Sequence, residues 1–204
     1  MFFKTPWWDL KFFWWVNQGL RNEVLDFLMP LFSSKLLGAF LLGILFGVVI
    51  YKKSWSRLVG LGLLVILLGL CDYSINFPKK AIGRVRPLNA LAGANFFEDG
   101  KWQKRPLNFI PGKKKGHSYP SAHAANSLLL GLALGVIFKK RFLRFLFYLL
   151  PLAVGFSRVY LAKHYPLDVL AGYLWGSMFY LLFLVLLPYL EVLKWEKWFQ
   201  KKSF

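Results

Sequence analysis

Three short clusters in this chain carry the side chains that phosphoryl chemistry needs. They are "KKAIGRVRP" from Lys79 to Pro87, "YPSAH" from Tyr119 to His123, and "SRVYLAKHYPLD" from Ser157 to Asp168. Lys79, Arg86 and Arg158 supply three cations, and a guanidinium presents a planar fork that matches phosphate oxygens. Lys79 and Arg86 are seven residues apart, about two turns of helix, a spacing that puts them on one helix face. Ser121 and Ala122 stand where a helical span begins, and free backbone N–H groups there, with the helix dipole, favour an anion. Asp168 follows His164 by four residues, with Pro166 between them suited to a first helical turn. A carboxylate that accepts a hydrogen bond from one imidazole nitrogen leaves the other nitrogen free as a nucleophile. A second histidine, His123, can then protonate the leaving oxygen. Together these groups suffice for a two-step phosphoryl transfer through a phosphohistidine. No metal or other cofactor is expected: the chain has three histidines and few acids near them, a poor set of metal ligands.

The elements that must position these residues are membrane helices. Of the 204 residues, 57% are hydrophobic and 19% aromatic, and their arrangement matters more than their total. Val169 to Leu190 runs for 22 residues without a charge, Leu36 to Tyr51 is also uncharged, and Leu58 to Pro78 contains one acid, Asp72. Ser121 to Phe138 and Phe142 to about Val159 give two more spans. A crossing takes roughly 20 apolar residues, and its backbone must be satisfied internally, so each run reads as a helix. The apolar runs do not alternate, which disfavours a barrel. The expected fold is an all-α integral membrane protein, a bundle of about five transmembrane helices over 35–190. Ahead of it, 7–32 carries Trp7, Trp8, Phe12, Phe13, Trp14 and Trp15 among charges. That segment predicts an amphipathic aromatic helix lying at the interface and broken near Pro30. Residues 1–204 are expected to form a single membrane-embedded domain, with no secretory signal at its start. Its long loop, 87–120, is rich in Gly, Pro, Asn and Lys and of a length that is usually functional or disordered.

Because successive spans alternate direction, all three clusters fall at one mouth of the bundle. The opposite face carries two short connections with Lys52, Lys53, Arg57, Lys139, Lys140, Arg141 and Arg144 and no acid. The positive-inside rule makes that face cytoplasmic and the mouth extracytoplasmic. A net charge of +18 in a membrane chain points to anionic lipid headgroups as partners, not nucleic acid. The single cysteine, Cys71, excludes an internal disulfide.

The motifs K-x6-R-P (Lys79 to Pro87), P-S-x-H (Pro120 to His123) and S-R-x5-H-x3-D (Ser157 to Asp168) resemble those of the type 2 phosphatidic acid phosphatase superfamily. Its members include lipid phosphate phosphatases and vanadium haloperoxidases. The resemblance implies that His164 is the nucleophile, that Asp168 orients it and that His123 is the general acid. It implies that Lys79, Arg86, Ser121 and Arg158 hold the phosphate without a metal. Ala122 stands where the family usually has glycine, keeping the backbone N–H but adding a methyl beside the phosphate. Many bacterial members have six spans, and here the aromatic N-terminal helix takes the place of the first. The resemblance places the protein in a bacterial inner membrane with its site facing the periplasm. Its expected substrate is a lipid phosphate. Lipid A 1-phosphate is the first choice, and undecaprenyl pyrophosphate and phosphatidylglycerophosphate are alternatives. Lipid-to-lipid phosphotransfer and non-catalytic binding of anionic lipid are competing readings. The latter would need no His164–Asp168 pair.

Four further features have structural expectations. Asp72, an acid inside a span, needs a partner and shares a face with Asn76 one turn on, so an interhelical hydrogen bond is expected. Gly43 and Gly47 match a helix-packing pattern inside the bundle. His117 reads as a loop histidine. Lys113, Lys114 and Lys115 are either solvated or receive an acidic headgroup.

Overall fold

The computed structural model describes residues 5–112 and 115–192, and Lys113, Lys114 and the C-terminal tail lie outside the described residues. Helices α1 (Trp7–Trp14) and α2 (Glu23–Phe32) precede α3 (Lys35–Tyr51), α4 (Trp55–Ser74), the short α5 (Asn76–Ile82), α6 (Ala122–Ile137), α7 (Arg141–Tyr160) and α8 (Pro166–Val192). Among the described residues, three helical stretches are long and apolar enough to cross a membrane: Trp55–Asn89, Arg141–Tyr160 and Pro166–Leu190. The apolar helices Gly38–Tyr51 and Ala122–Ile137 are shorter. The chain is thus a helical membrane bundle whose outer faces expose Phe40, Ile44, Val65, Leu152, Leu174 and Val185.

Helix α6, sixteen residues long, lies at the centre, packed on α4, α7 and α8. Its sequence, AHAANSLLLGLALGVI, is built of small residues, which let helix backbones approach where no hydrophobic effect drives them together. A Cβ at Gly131 would strike the Phe147 carbonyl of α7, and one at Gly135 would strike the Tyr148 ring. On the other side, a Cβ at Gly172 or Gly176 of α8 would strike the carbonyls of Ser121 and Ala125. The glycines four apart on α8 therefore seat it against the first turns of α6. Gly43 and Gly47 were expected to pack inside the bundle, but a Cβ at either would meet nothing within 4 Å. A glycine pair packs only where another backbone faces it, and α3 is a peripheral helix. Leu61, Leu64, Leu67, Cys71, Leu129 and Phe183 fill the core between α4, α6 and α8.

A second core closes the mouth. It joins Phe13 and Val16 of the N-terminal segment, Met29 of α2, Phe96 of the loop, and Val159, Tyr160 and Tyr165 at the ends of α7 and α8. The N-terminal segment does not break at Pro30. It passes from α1 through a π-helical turn (Trp15–Gly19) and restarts at α2, where the Asn22 side chain accepts from the Leu25 N–H at 2.9 Å. Pro30 is accommodated inside α2 because the carbonyl it leaves without a helical donor, that of Asp26, accepts from the Trp102 indole at 3.1 Å.

The long loop carries secondary structure in its first half, beginning with a short 3-10 turn at Pro87–Asn89. It contains an antiparallel hairpin, β1 (Asn95–Glu98) with β2 (Lys101–Lys104), turned by Asp99 and Gly100 at φ 52° and 74°. Positive φ at both positions suits Asp-Gly. The buried Asn17 amide ties the N-terminal segment to this hairpin and to α7, donating to the carbonyls of Asn95 at 2.7 Å and Tyr160 at 2.8 Å.

The two glycine environments give a direct test of the packing. Gly172→Val should push α8 off α6, lower the thermal midpoint in detergent by several degrees and cut activity at least tenfold. Gly43→Val, in open space, should change neither by more than the measurement error. Paired thermal-shift and turnover assays check both.

Candidate active site

The mouth encloses a polar cavity of about 400 Å³ lined by Asp72, Asn76, Lys79, Arg86, Ala122, His123, Arg158, Lys163 and His164. Each of the three sequence clusters contributes to this wall. Lys79 comes from α5, which ends at Ile82 because Gly83 takes the left-handed conformation at φ 64°. Arg86 follows in extended backbone. The expectation that Lys79 and Arg86 share a helix face is therefore corrected: the helix stops between them, and the turn at Gly83 brings both to the cavity. Arg158 lies in the last turn of α7, 7% exposed, with Nη1 hydrogen-bonded to the Ser33 hydroxyl. Its Nε is buried without a hydrogen-bond partner, a donor that an anion in the cavity would suit.

Ala122 is the first helical residue of α6. A helical φ costs alanine nothing, so the residue at the family's glycine position keeps its N–H in place and adds only a methyl to the wall. Ser121 is fully buried and does not line the cavity. Its hydroxyl accepts from the Ala124 N–H at 3.4 Å as the helix cap, and its own N–H donates to the Asp168 carbonyl at 2.9 Å. Ser157, too, turns back on its helix and donates to the Val154 carbonyl at 2.7 Å.

His164 sits in the α7–α8 connection, 2% exposed. Its Nδ1 is 2.6 Å from the Ser118 carbonyl. A carbonyl can only accept, so Nδ1 carries the proton and Nε2 is left unprotonated for the cavity that the ring lines. Asp168 Oδ2 is 3.6 Å from Nδ1, outside hydrogen-bond range, whereas the sequence reading expected it to accept from the imidazole. Its carboxylate is committed elsewhere. Oδ2 accepts from the Ser118 hydroxyl at 2.5 Å and from the Tyr165 N–H at 2.9 Å, and Oδ1 accepts from Arg84 at 2.5 Å. The bond to Tyr165 is half of a capping box, the third helical residue reaching back to the N-cap. Asp168 thus influences the imidazole through charge and by holding Ser118 in place.

Burial pushes His164 down to about 4, against the pull of Asp168 and with Arg158 and Arg86 adding to the fall. Near neutral pH the ring is uncharged, the state a nucleophile requires. Burial also lowers Lys163, while Glu98 on the hairpin, 3.8 Å away, pulls it back up.

Three residues of this site escaped the sequence reading: Arg84, Ser118 and Lys163. Lys163 adjoins His164 in the chain, and Ser118 lies three residues before Ser121. Arg84 sits inside the first motif, but nothing in that motif's spacing marks its role. Asp72 does form an interhelical hydrogen bond, though to the Asn126 side chain at 3.1 Å. The Asn76 amide, at the start of α5, instead donates to the Asp72 backbone carbonyl near the end of α4, at 2.9 Å. His117 is a loop residue and does not line the cavity. Among the described residues no three His, Cys, Asp or Glu gather as a metal site.

A helical membrane bundle with four cations and two histidines around one polar mouth defines a class of phosphate-handling membrane protein. Residues 55–191 match the PAP2 superfamily, so the chain belongs to that superfamily, and it is an enzyme of the kind that hydrolyses lipid phosphates. It is 26% identical over 164 residues to the lipid A 4'-phosphatase of Bacteroides thetaiotaomicron, covering 78% of this chain and 68% of that one. It is 32% identical over 107 residues to the lipid A 1-phosphatase of Rhizobium johnstonii, covering 52% of this chain and 39% of that one. The crystal structure of Aquifex aeolicus LpxE superposes with a TM-score of 0.67 at 24% identity over 90% of this chain and 99% of that one, a likeness of fold.

The depressed His164 predicts the acidic limb of the pH profile. If the imidazole must be neutral to attack, activity is kept as pH falls through 6.5 and is lost only toward pH 4, where the ring takes a proton. The measurement is kcat/KM on a lipid phosphate from about pH 3.5 to 8. An acidic limb centred at about 6 to 7, the ordinary histidine range, would contradict the buried, neutral ring.

Proposed function

We propose that the protein hydrolyses the phosphate of a membrane lipid through a phosphohistidine, with lipid A 1-phosphate as first substrate. His164 Nε2 attacks phosphorus and the N–P bond forms as the bond to the lipid oxygen breaks. His123, protonated, gives its proton to that oxygen. Water then attacks the phosphohistidine with His123 taking its proton, and inorganic phosphate and neutral His164 are released. Lys79, Arg86 and Arg158 neutralise the phosphoryl oxygens, with the N–H groups at the start of α6 as a further anion site. No step is assigned to a metal.

The observation that carries a lipid substrate is a second, apolar cavity of about 640 Å³ that shares Asp72 and His123 with the polar one. Leu42, Leu45, Leu68, Leu130, Leu146 and Leu150 line it, between α3, α4, α6 and α7. A headgroup held among the cations would lay its tail there without leaving an apolar surface. Lys163, which lines the polar cavity, favours a polyanionic headgroup, and the lipid A 4'-phosphatase and lipid A 1-phosphatase among the relatives support that reading. Undecaprenyl pyrophosphate and phosphatidylglycerophosphate fit the same chemistry. The basic connections Lys52–Arg57 and Lys139–Arg144, at the opposite end, support a site facing the periplasm from the inner membrane.

Purified protein should release inorganic phosphate from lipid A faster than from undecaprenyl pyrophosphate, phosphatidylglycerophosphate or short-chain phosphatidic acid, in chelator as well as without it. His164→Ala should fall to background with wild-type expression and thermal stability. Substantial release by that variant would sink the mechanism. A faster rate on another lipid of the panel would reassign the substrate. Appearance of the phosphate on a second lipid would make the enzyme a phosphotransferase.

A further inference from the structure

Arg84 is 3% exposed and is held between two fully buried carboxylates. Its Nη1 donates to Asp168 Oδ1 and its Nη2 to Asp9 Oδ2, each at 2.5 Å. The guanidinium lies on the Tyr165 ring, 3.9 Å from its centroid, and Nη2 also reaches the Thr5 hydroxyl at 3.1 Å. Asp9 belongs to α1, the N-terminal helix that also exposes Trp7 and Phe12. Its second oxygen accepts the Leu167 N–H at 2.8 Å. That amide belongs to the first turn of α8, so a carboxylate from α1 caps the helix that carries Asp168. The segment 116–118 lies along 83–84, with Gly116 N–H on the Gly83 carbonyl at 2.9 Å and Ser118 N–H on the Arg84 carbonyl at 2.8 Å. A Cβ at Gly116 would come within 2.9 Å of Arg84 O and Val85 Cα. Arg84 therefore fixes two things at once: the carboxylate of Asp168 by its side chain, and the Ser118 carbonyl that orients His164 by its backbone.

We propose that Asp9 and Arg84 are positioning residues of the phosphoryl-transfer centre, and that α1 must be seated on the mouth for His164 to react. The charge arrangement gives the reason. Asp9 and Asp168 share one guanidinium, so the group as a whole keeps one negative charge. When Nε2 is phosphorylated the imidazole ring becomes cationic, and a carboxylate only partly neutralised by Arg84 favours that state. Without Asp9, Arg84 would serve Asp168 alone and quench the charge that the phosphorylated ring needs. A planar fork can hold two carboxylates at once; a lysine ammonium, a point charge, serves two less well.

This inference rests on the phosphohistidine reading above, and the two fail separately. The experiment uses full-length protein in detergent with short-chain phosphatidic acid, and compares Asp9→Asn, Arg84→Lys, Arg84→Gln and the double variant Asp9→Asn/Arg84→Gln. Asp9→Asn should lower kcat about tenfold with KM within about twofold of wild type, because substrate binding does not involve Asp9. Arg84→Gln should lower kcat about a hundredfold, and Arg84→Lys should recover part of that. The double variant should lose less than the product of the two single losses, since Asp9 acts chiefly through Arg84 and linked residues are not additive. Asp26→Asn is the control for helix docking. It removes the Arg21 ion pair and leaves the 2.7 Å bond from Tyr160 Oη with a neutral acceptor in place of a charged one, and should lower the thermal midpoint while leaving kcat unchanged. If Arg84→Gln does not fold, Asp9→Asn and Arg84→Lys decide. An Asp9→Asn enzyme with wild-type kcat, one that loses stability alone or fails to insert, or additive losses in the double variant would overturn the proposal. If wild type forms no phosphohistidine or His164→Ala stays active, the earlier reading has failed instead.

Discussion

A fully buried carboxylate, Asp168, is the constraint on which the mouth of the bundle depends. An ionised group taken out of water is tolerable only when paired and hydrogen-bonded, and here the cost is offset by Arg84, the Ser118 hydroxyl and the Tyr165 amide. Each partner arrives from a different part of the chain: Arg84 from the turn after α5, Ser118 from the end of the long loop, Tyr165 from the start of α8. The need to neutralise one charge therefore draws together segments whose apolar surfaces alone would not specify their register. Asp9 extends the set to the N-terminal helix, so the aromatic segment is part of the mouth's architecture.

Close helix approach is the second requirement. The cations and histidines converge because α8 can ride against the first turns of α6, backbone on backbone, at Gly172 and Gly176. A side chain at either position would move Asp168 away from Ser121, whose N–H bonds its carbonyl. The catalytic geometry is thus held at one end by buried charge and along the helix by missing side chains.

The sequence made much of this legible. The three motifs, their internal spacing and the alternation of apolar runs led to one mouth, and Lys79, Arg86, Ala122, His123, Arg158 and His164 all line the cavity found there. Residues whose roles depend on what faces them were not legible. Arg84 reads as one more basic residue until Asp9, 75 positions earlier, is known to lie beside it. Gly43 and Gly47 carry the same spacing as Gly172 and Gly176, and only the neighbouring backbone distinguishes them. Asp72 plainly needed a partner, but Asn126 of another helix cannot be chosen over Asn76 from periodicity. The hairpin was the one local signal passed over: Asp99-Gly100 between Phe97 and Trp102 is hairpin chemistry, hidden inside a stretch whose composition resembles a loop.

The brevity of α6 has a consequence for how the protein meets its bilayer. Sixteen helical residues span about 24 Å at about 1.5 Å per residue, short of a hydrocarbon core of roughly 30 Å. The helix that carries His123 therefore cannot reach both headgroup planes. The shortfall is taken up by hollows: the polar cavity at its N-terminal end, and at the other end one of about 380 Å³ lined by Ser54, Arg57 and Lys139. The centre of the bundle is therefore shorter than the hydrocarbon layer it must cross, and a hollow with polar lining stands at each of its ends.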